Sequence, residues 1–141
     1  MRQIRIHVDA PLRAGEVLRL PEQAGTHVTR VLRLRAGDPI TLFDGQGGEG
    51  SATLLESGRN GAVVRVATFA VVERESPLQV TLLQGVARGE RMDTVIQKAT
   101  ELGVSRIVPV SCEFSVVRLD AATMERRLAH WRAVAIAACE P

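Results

Sequence analysis

Six chemically capable side chains fall close together in this chain: Arg88, Glu90, Arg91, Gln97, Lys98 and Glu101. They follow an apolar stretch, Val80 to Val86, that reads as a strand. Glu90 to Leu102 reads as a helix ended by the C-cap glycine Gly103. Arginine holds phosphate bidentately, and a fixed cation stabilises negative charge as it develops. Arg88 sits just past the carboxyl end of the strand, where ligands settle in open α/β sheets. Arg88 and Arg91 are therefore the catalytic candidates, and together with Lys98 they are candidates for contact with a polyanion. Helix decoration is the rival reading, since Asp93 and Gln97, and Gln97 and Glu101, stand at i,i+4.

A second constellation lies near the N-terminus. His27, Arg30 and Arg33 recur every three residues along Ala24 to Leu34, which reads as a helix with Val28, Val31 and Leu32 as its buried stripe. Residues 1–35 hold seven arginines, Arg5 among them, against Asp9, Glu16 and Glu22, although the whole chain is only +2. Such a basic third suits a nucleic acid, each neutralised phosphate adding salt-dependent affinity. Charge alone equally allows a solvated face. Lys98 is the only lysine among 18 basic residues.

Other chemistries find little support. The glycine-rich run Asp44 to Gly50 precedes a strand rather than a helix, so it reads as a hairpin loop and not a nucleotide cradle. Cys112 and Cys139 match no zinc or CxxC spacing, and no metal site is expected. Ser111, Cys112 and Ser115 have no adjacent base, and His7 and His130 stand alone. Aromatics number four: Phe43, Phe69, Phe114 and Trp131, too few for rows of stacked bases, with Trp131 on an apolar helix face and read as core. No apolar run approaches the ~20 residues that span a bilayer, so no membrane partner and a cytoplasmic location are expected.

The elements that must position these groups change grammar midway. Residues 1–72 give short strands and one helix: 2–8, Glu16 to Leu20, Ile40 to Phe43, Ser51 to Leu55 and Ala62 to Val71, with a turn over residues 57–61. A small β-barrel solves the edge problem of such strands. Residues 73–77 read as a linker. From there to 141, strand, helix, the buried strand Arg106 to Val110 and the helix Ala121 to Ala138 begin a parallel α/β sheet. On that last helix Met124, Leu128, Trp131, Ala135 and Ala138 share a face. Two strands and two helices do not close such a domain. The chain stops at Ile136 to Pro141 with no terminal glycine or polar tail, so it is expected to be the front part of a larger enzyme.

In these same residues the chain resembles the bacterial 16S ribosomal RNA uridine-N3 methyltransferases, the RsmE family. The resemblance rests on Arg5-Ile6, His27 to Arg33, Leu42-Phe43-Asp44-Gly45, Arg74 to Leu78, Arg88 to Met92, Ile96 to Gly103, and Trp131 with Ala135 to Glu140, in family order. It implies a PUA-like β-barrel over residues 1–72 that helps bind RNA. An incomplete α/β domain of the SPOUT class over 73–141 follows, whose deep trefoil knot binds S-adenosylmethionine and forms the homodimer. The methyl group goes to N3 of a uridine in the small-subunit rRNA, with the assembled subunit as preferred substrate. The family's Gly-Pro-Glu-Gly-Gly and Leu-Arg-x-Glu-Thr-Ala cofactor runs do not occur here. The knot and the cofactor site are thus expected to be missing from this chain, and the piece alone to be inactive. The rival readings are an RNA-binding module without catalysis and a scaffold that dimerises through the open sheet edge.

Overall fold

The computed structural model describes residues 4–58, 61–72, 75–115, 117 and 120–140. Arg2 and Gln3 of the first expected strand, Arg59 and Asn60 of the hairpin turn, Glu73 and Arg74 of the linker and Leu119 before the last helix lie outside them. The chain forms two compact units, Met1–Arg74 with Glu140–Pro141, and Glu75–Cys139.

The first unit holds strands β1 (Arg5–His7), β2 (Val17–Arg19), β3 (Pro39–Phe43), β4 (Gly48–Gly58) and β5 (Gly61–Val71). Helix α1 (Glu22–Thr26) runs into a π-helical turn, His27–Val31. The sheet order is β1-β3-β4-β5-β2. β1 pairs parallel with β3, and the other neighbours are antiparallel. Alternation places Ile6, Ile40, Leu42, Ala52, Leu54, Ala62, Val64 and Val66 inward, where Leu12, Leu20 and Val28 complete one core. Register shifts at Ser51/Ala52 and Leu54/Glu56 bend the long β4–β5 hairpin around it. Among the described residues β1 and β2 remain sheet edges, so hydrogen bonds do not close the expected barrel.

Two glycines make this packing possible. A Cβ on Gly50 would stand 3.1 Å from Val66 Cγ1, and one on Gly48 would stand 2.2 Å from Phe69 Cζ. Gly48 therefore belongs to β4 and is covered by a ring, whereas the sequence suggested that it lay in the loop.

The second unit has a parallel pair, β6 (Thr81–Gly85) and β7 (Arg106–Val110), connected through α2 (Arg91–Glu101) and followed by α3 (Ala121–Cys139). Gly103, at φ +81°, ends α2, and Val104 N–H donates back to Ala99 O at 3.0 Å. Asp120 caps α3: its Oδ1 accepts from Thr123 N–H at 2.7 Å. Val86, Met92, Ile96 and Trp131 form the buried core, with Ile107, Met124, Leu128 and Ala135 packed on it. The expected apolar face of α3 is the face that packs.

Candidate nucleic-acid interface

The arginine-bearing segment begins where α1 meets β5. Gly25 is buried, and a Cβ there would lie 3.4 Å from Ala62 N, so the helix approaches the strand backbone closely. Thr29 Oγ1 donates to Gly25 O at 2.8 Å, occupying a carbonyl inside the helix. The next turn widens. Leu32 N–H donates to His27 O at 2.9 Å, an i→i+5 bond. Leu34 N–H then reaches Val28 O at 3.0 Å, and Arg33 takes φ +54° to permit it.

This geometry corrects the expected single α-helix over Ala24 to Leu34. Residues three apart are about a sixth of a turn out of line in an α-helix and more in the wider π turn. Accordingly His27 is half-buried while Arg30 and Arg33 are exposed. Val31, expected in the buried stripe, is 65% exposed, and Val28 alone of the stripe is fully buried.

Beyond the turn, Arg35 N–H donates to Asp38 Oδ2 at 2.7 Å, and Ser57 Oγ donates to Leu34 O at 2.8 Å. The second bond pins the segment to the end of β4. The guanidinium groups of Arg30, Arg33 and Arg35 are exposed and make no hydrogen bond or ion pair. Arg35 is a candidate that the three-residue spacing missed, because it follows the helix.

Arg5 is placed differently. It lies on β1, separated from β5 by β3 and β4. Its Nη2 is 2.7 Å from Glu49 Oε1, and its guanidinium stacks 4.7 Å over the Phe43 ring, whose edge meets His7. The charge of Arg5 is thus already matched, and Glu49, 44 residues away, was not legible as its partner.

In the second unit Arg88 and Arg91 are both exposed between the end of β6 and the first turn of α2, around Gly89 at φ +63°. Lys98 pairs with Glu101 at 2.7 Å along α2. That hydrogen bond, more than the Coulomb attraction, holds the Glu101 carboxyl below its usual value, and Gln97 adds a smaller hydrogen bond. Asp93 turns to His130 Nε2 on α3, 2.8 Å away, a partner 37 residues distant that sequence spacing did not reveal. Among the described residues no three His, Cys, Asp or Glu side chains cluster to hold a metal. No described helix is long and apolar enough to cross a membrane.

A groove of about 370 Å³ runs between α2, β7 and α3 over Ile96, Leu128 and Trp131, with Arg106 and Arg132 among its lining. Either arginine could pair with the carboxylate of S-adenosylmethionine, and no carboxylate lines the groove to face the sulfonium or the ammonium.

Comparison with known proteins gives the setting. A model described as an RNA methyltransferase PUA domain matches residues 20–67, and one described as an RNA methyltransferase domain matches 74–140. A structure from Legionella pneumophila, solved with the cofactor SAM, superposes with a TM-score of 0.95 at 38% identity, covering 99% of this chain and 57% of that one. Ribosomal RNA small subunit methyltransferase E from Neisseria gonorrhoeae, bound to S-adenosylmethionine, gives 0.92 at 38%, covering 98% and 57%. The enzyme of that name from Mycobacterium bovis is 30% identical over 91% of this chain and 48% of its own length. The chain thus spans about half the length of the curated relatives it matches. With both domain models matched in order across most of its length, the chain belongs to the ribosomal RNA small subunit methyltransferase E family.

Proposed function

We propose that this chain is the RNA-binding front portion of an S-adenosylmethionine-dependent methyltransferase that modifies N3 of a specific uridine in 16S rRNA of the small ribosomal subunit. The observation that carries the reading is the superposition of nearly the whole chain on one part of structures solved with the methyl donor bound. Residues 1–72 act as the PUA-like RNA-binding domain, and 73–141 as the first part of the SPOUT domain. Arg30 and Arg33 hold RNA phosphates, with His27 at the edge of that surface. Arg88 and Arg91 contact the RNA from the second unit. Lys98 and Arg5 contribute less, because each already faces a carboxylate.

The cofactor site and the knot belong to the portion of the relatives beyond this chain's span. The complete protein is a cytoplasmic homodimer, and the 141-residue chain alone does not turn over. Labelled methyl transfer from S-adenosylmethionine to small subunits lacking the modification tests this, using the 141-residue chain and the complete reading frame in parallel. The complete protein is expected to label N3 of one uridine and the shorter chain none. Turnover by the shorter chain would refute the placement of the cofactor site. Salt-sensitive rRNA binding without transfer by either protein would instead support a binding module.

A further inference from the structure

N3 of uridine lies on the Watson–Crick edge, so a base methylated there is unpaired when it reacts. Enzymes that take a base out of its stack hold it against an aromatic or apolar side chain. The chain has four aromatic residues, too few for a row of bases but enough for one. Trp131 and Phe43 are buried, and Phe43 already meets Arg5 and His7. Phe69 covers Gly48. Phe114 differs from all three: at 94% it is the most exposed large apolar side chain among the described residues.

A single exposed apolar residue needs no explanation of its own. The place of this one carries the argument. β6 ends at Gly85 and β7, its parallel neighbour, at Val110. Val86 N–H donates to Val110 O at 3.0 Å, and a Cβ on Gly85 would stand 3.3 Å from Cys112 Sγ. The two segments therefore leave the strands side by side. One leads to Arg88 and Arg91, the other to Phe114. Ligands of open α/β sheets settle at this carboxyl end. The turn that carries the ring is held without it: Ser115 N–H donates to Cys112 O at 3.0 Å, and Val117 N–H to Ser115 Oγ at 3.2 Å.

We infer that Phe114 stacks on the extruded uridine base, from the loop beside the one that bears Arg88 and Arg91. This rests on the methyltransferase reading above, and the test separates the two. The complete protein and its Phe114→Ala, Phe114→Leu, Phe114→Trp and Arg91→Ala variants would be assayed for methyl transfer to small subunits lacking the modification. Binding of a 16S rRNA transcript would be followed from about 50 to 200 mM salt. Phe114→Ala is expected to lower kcat/KM by about five- to 150-fold, the loss of one base–aromatic stack. Its salt slope should stay that of the parent, because the ring is uncharged, whereas Arg91→Ala should reduce the slope of log K against log salt by about one. Phe114→Trp should keep the parent rate. Phe114→Leu, apolar but without a π face, should fall with the alanine variant. A parent-like kcat/KM in Phe114→Ala or Phe114→Leu would overturn the inference and leave the methyltransferase reading standing. So would a Phe114→Trp rate as low as that of Phe114→Ala. Hydrogen exchange over Arg91–Glu101 and Ala121–Cys139 should match the parent in Phe114→Ala, and lost protection there would make the ring structural and overturn the inference. No transfer by the complete parent protein would overturn the methyltransferase reading and the inference with it.

Discussion

Trp131 is the side chain on which the second unit most depends. It is 5% exposed and packs with Val86, Met92 and Ile96, the only other fully buried apolar residues of that unit among those described. Truncating a buried tryptophan to alanine costs about 3–5 kcal/mol, from lost transfer energy and the cavity left behind. A unit of roughly 65 residues rarely gains more than about 3–5 kcal/mol from a single core. The two magnitudes match, so Trp131→Ala is expected to unfold α2 and α3 rather than merely loosen them. Trp131→Phe retains most of the volume and is expected to keep the unit folded. Hydrogen exchange followed by mass spectrometry would read peptides covering Arg91–Glu101 and Ala121–Cys139, with Ala62 to Val66 as internal reference. Protection of the α2 and α3 peptides within about threefold of the parent in Trp131→Ala would refute the reasoning. It would mean that Met92 and Ile96 hold the helices without the indole.

Three further outcomes follow from particular contacts. Gly48→Ala drives a methyl into the Phe69 ring and is expected to destabilise the first unit by about 1–3 kcal/mol, and combining it with Phe69→Ala should cost less than the sum in a thermal-melt cycle; strict additivity would count against the contact. Arg5→Ala is expected to weaken 16S rRNA binding less than Arg30→Ala, because Glu49 already neutralises Arg5, and the reverse order in a filter-binding assay would place the RNA on β1 instead. The Asp120 carboxyl is held below its ordinary value of 3.8 by hydrogen bonds from Thr123, backbone first. Its folded value is thus depressed, so its cap contribution is present above that ordinary value and is lost as pH falls through the lowered one. Protection factors of amides in the first turn of α3, taken relative to the intrinsic exchange rate at each pH, should fall in that window in the parent and stay constant there in Asp120→Ala; identical profiles would refute the cap.

Much of the second unit was legible because its signals are local. Helical periodicity ended by Gly103 located α2, the short apolar runs located β6 and β7, and one apolar face on α3 identified the packing of Trp131. The three-residue spacing of His27, Arg30 and Arg33 is itself local. Their presentation was not legible, since an α-helical period was projected onto a segment that widens into a π turn. Just before that widening the carbonyl of Gly25 accepts from Thr29 and α1 lies against Ala62, and the second of these is a tertiary contact.

The amino-acid sequence alone determined what neighbouring residues can decide between themselves: strand alternation, the end of α2 at Gly103, the basic character of the first third and the motifs that carry the family resemblance. Tertiary structure decided which charges are free to act. Glu49 matches Arg5 from another strand and Asp93 is hydrogen-bonded to His130 on another helix, while Arg30, Arg33 and Arg35 are left without partners among the described residues. The physical reason is that an ion pair depends on distance in space, and folding sets that distance between residues whose separation along the chain carries no signal.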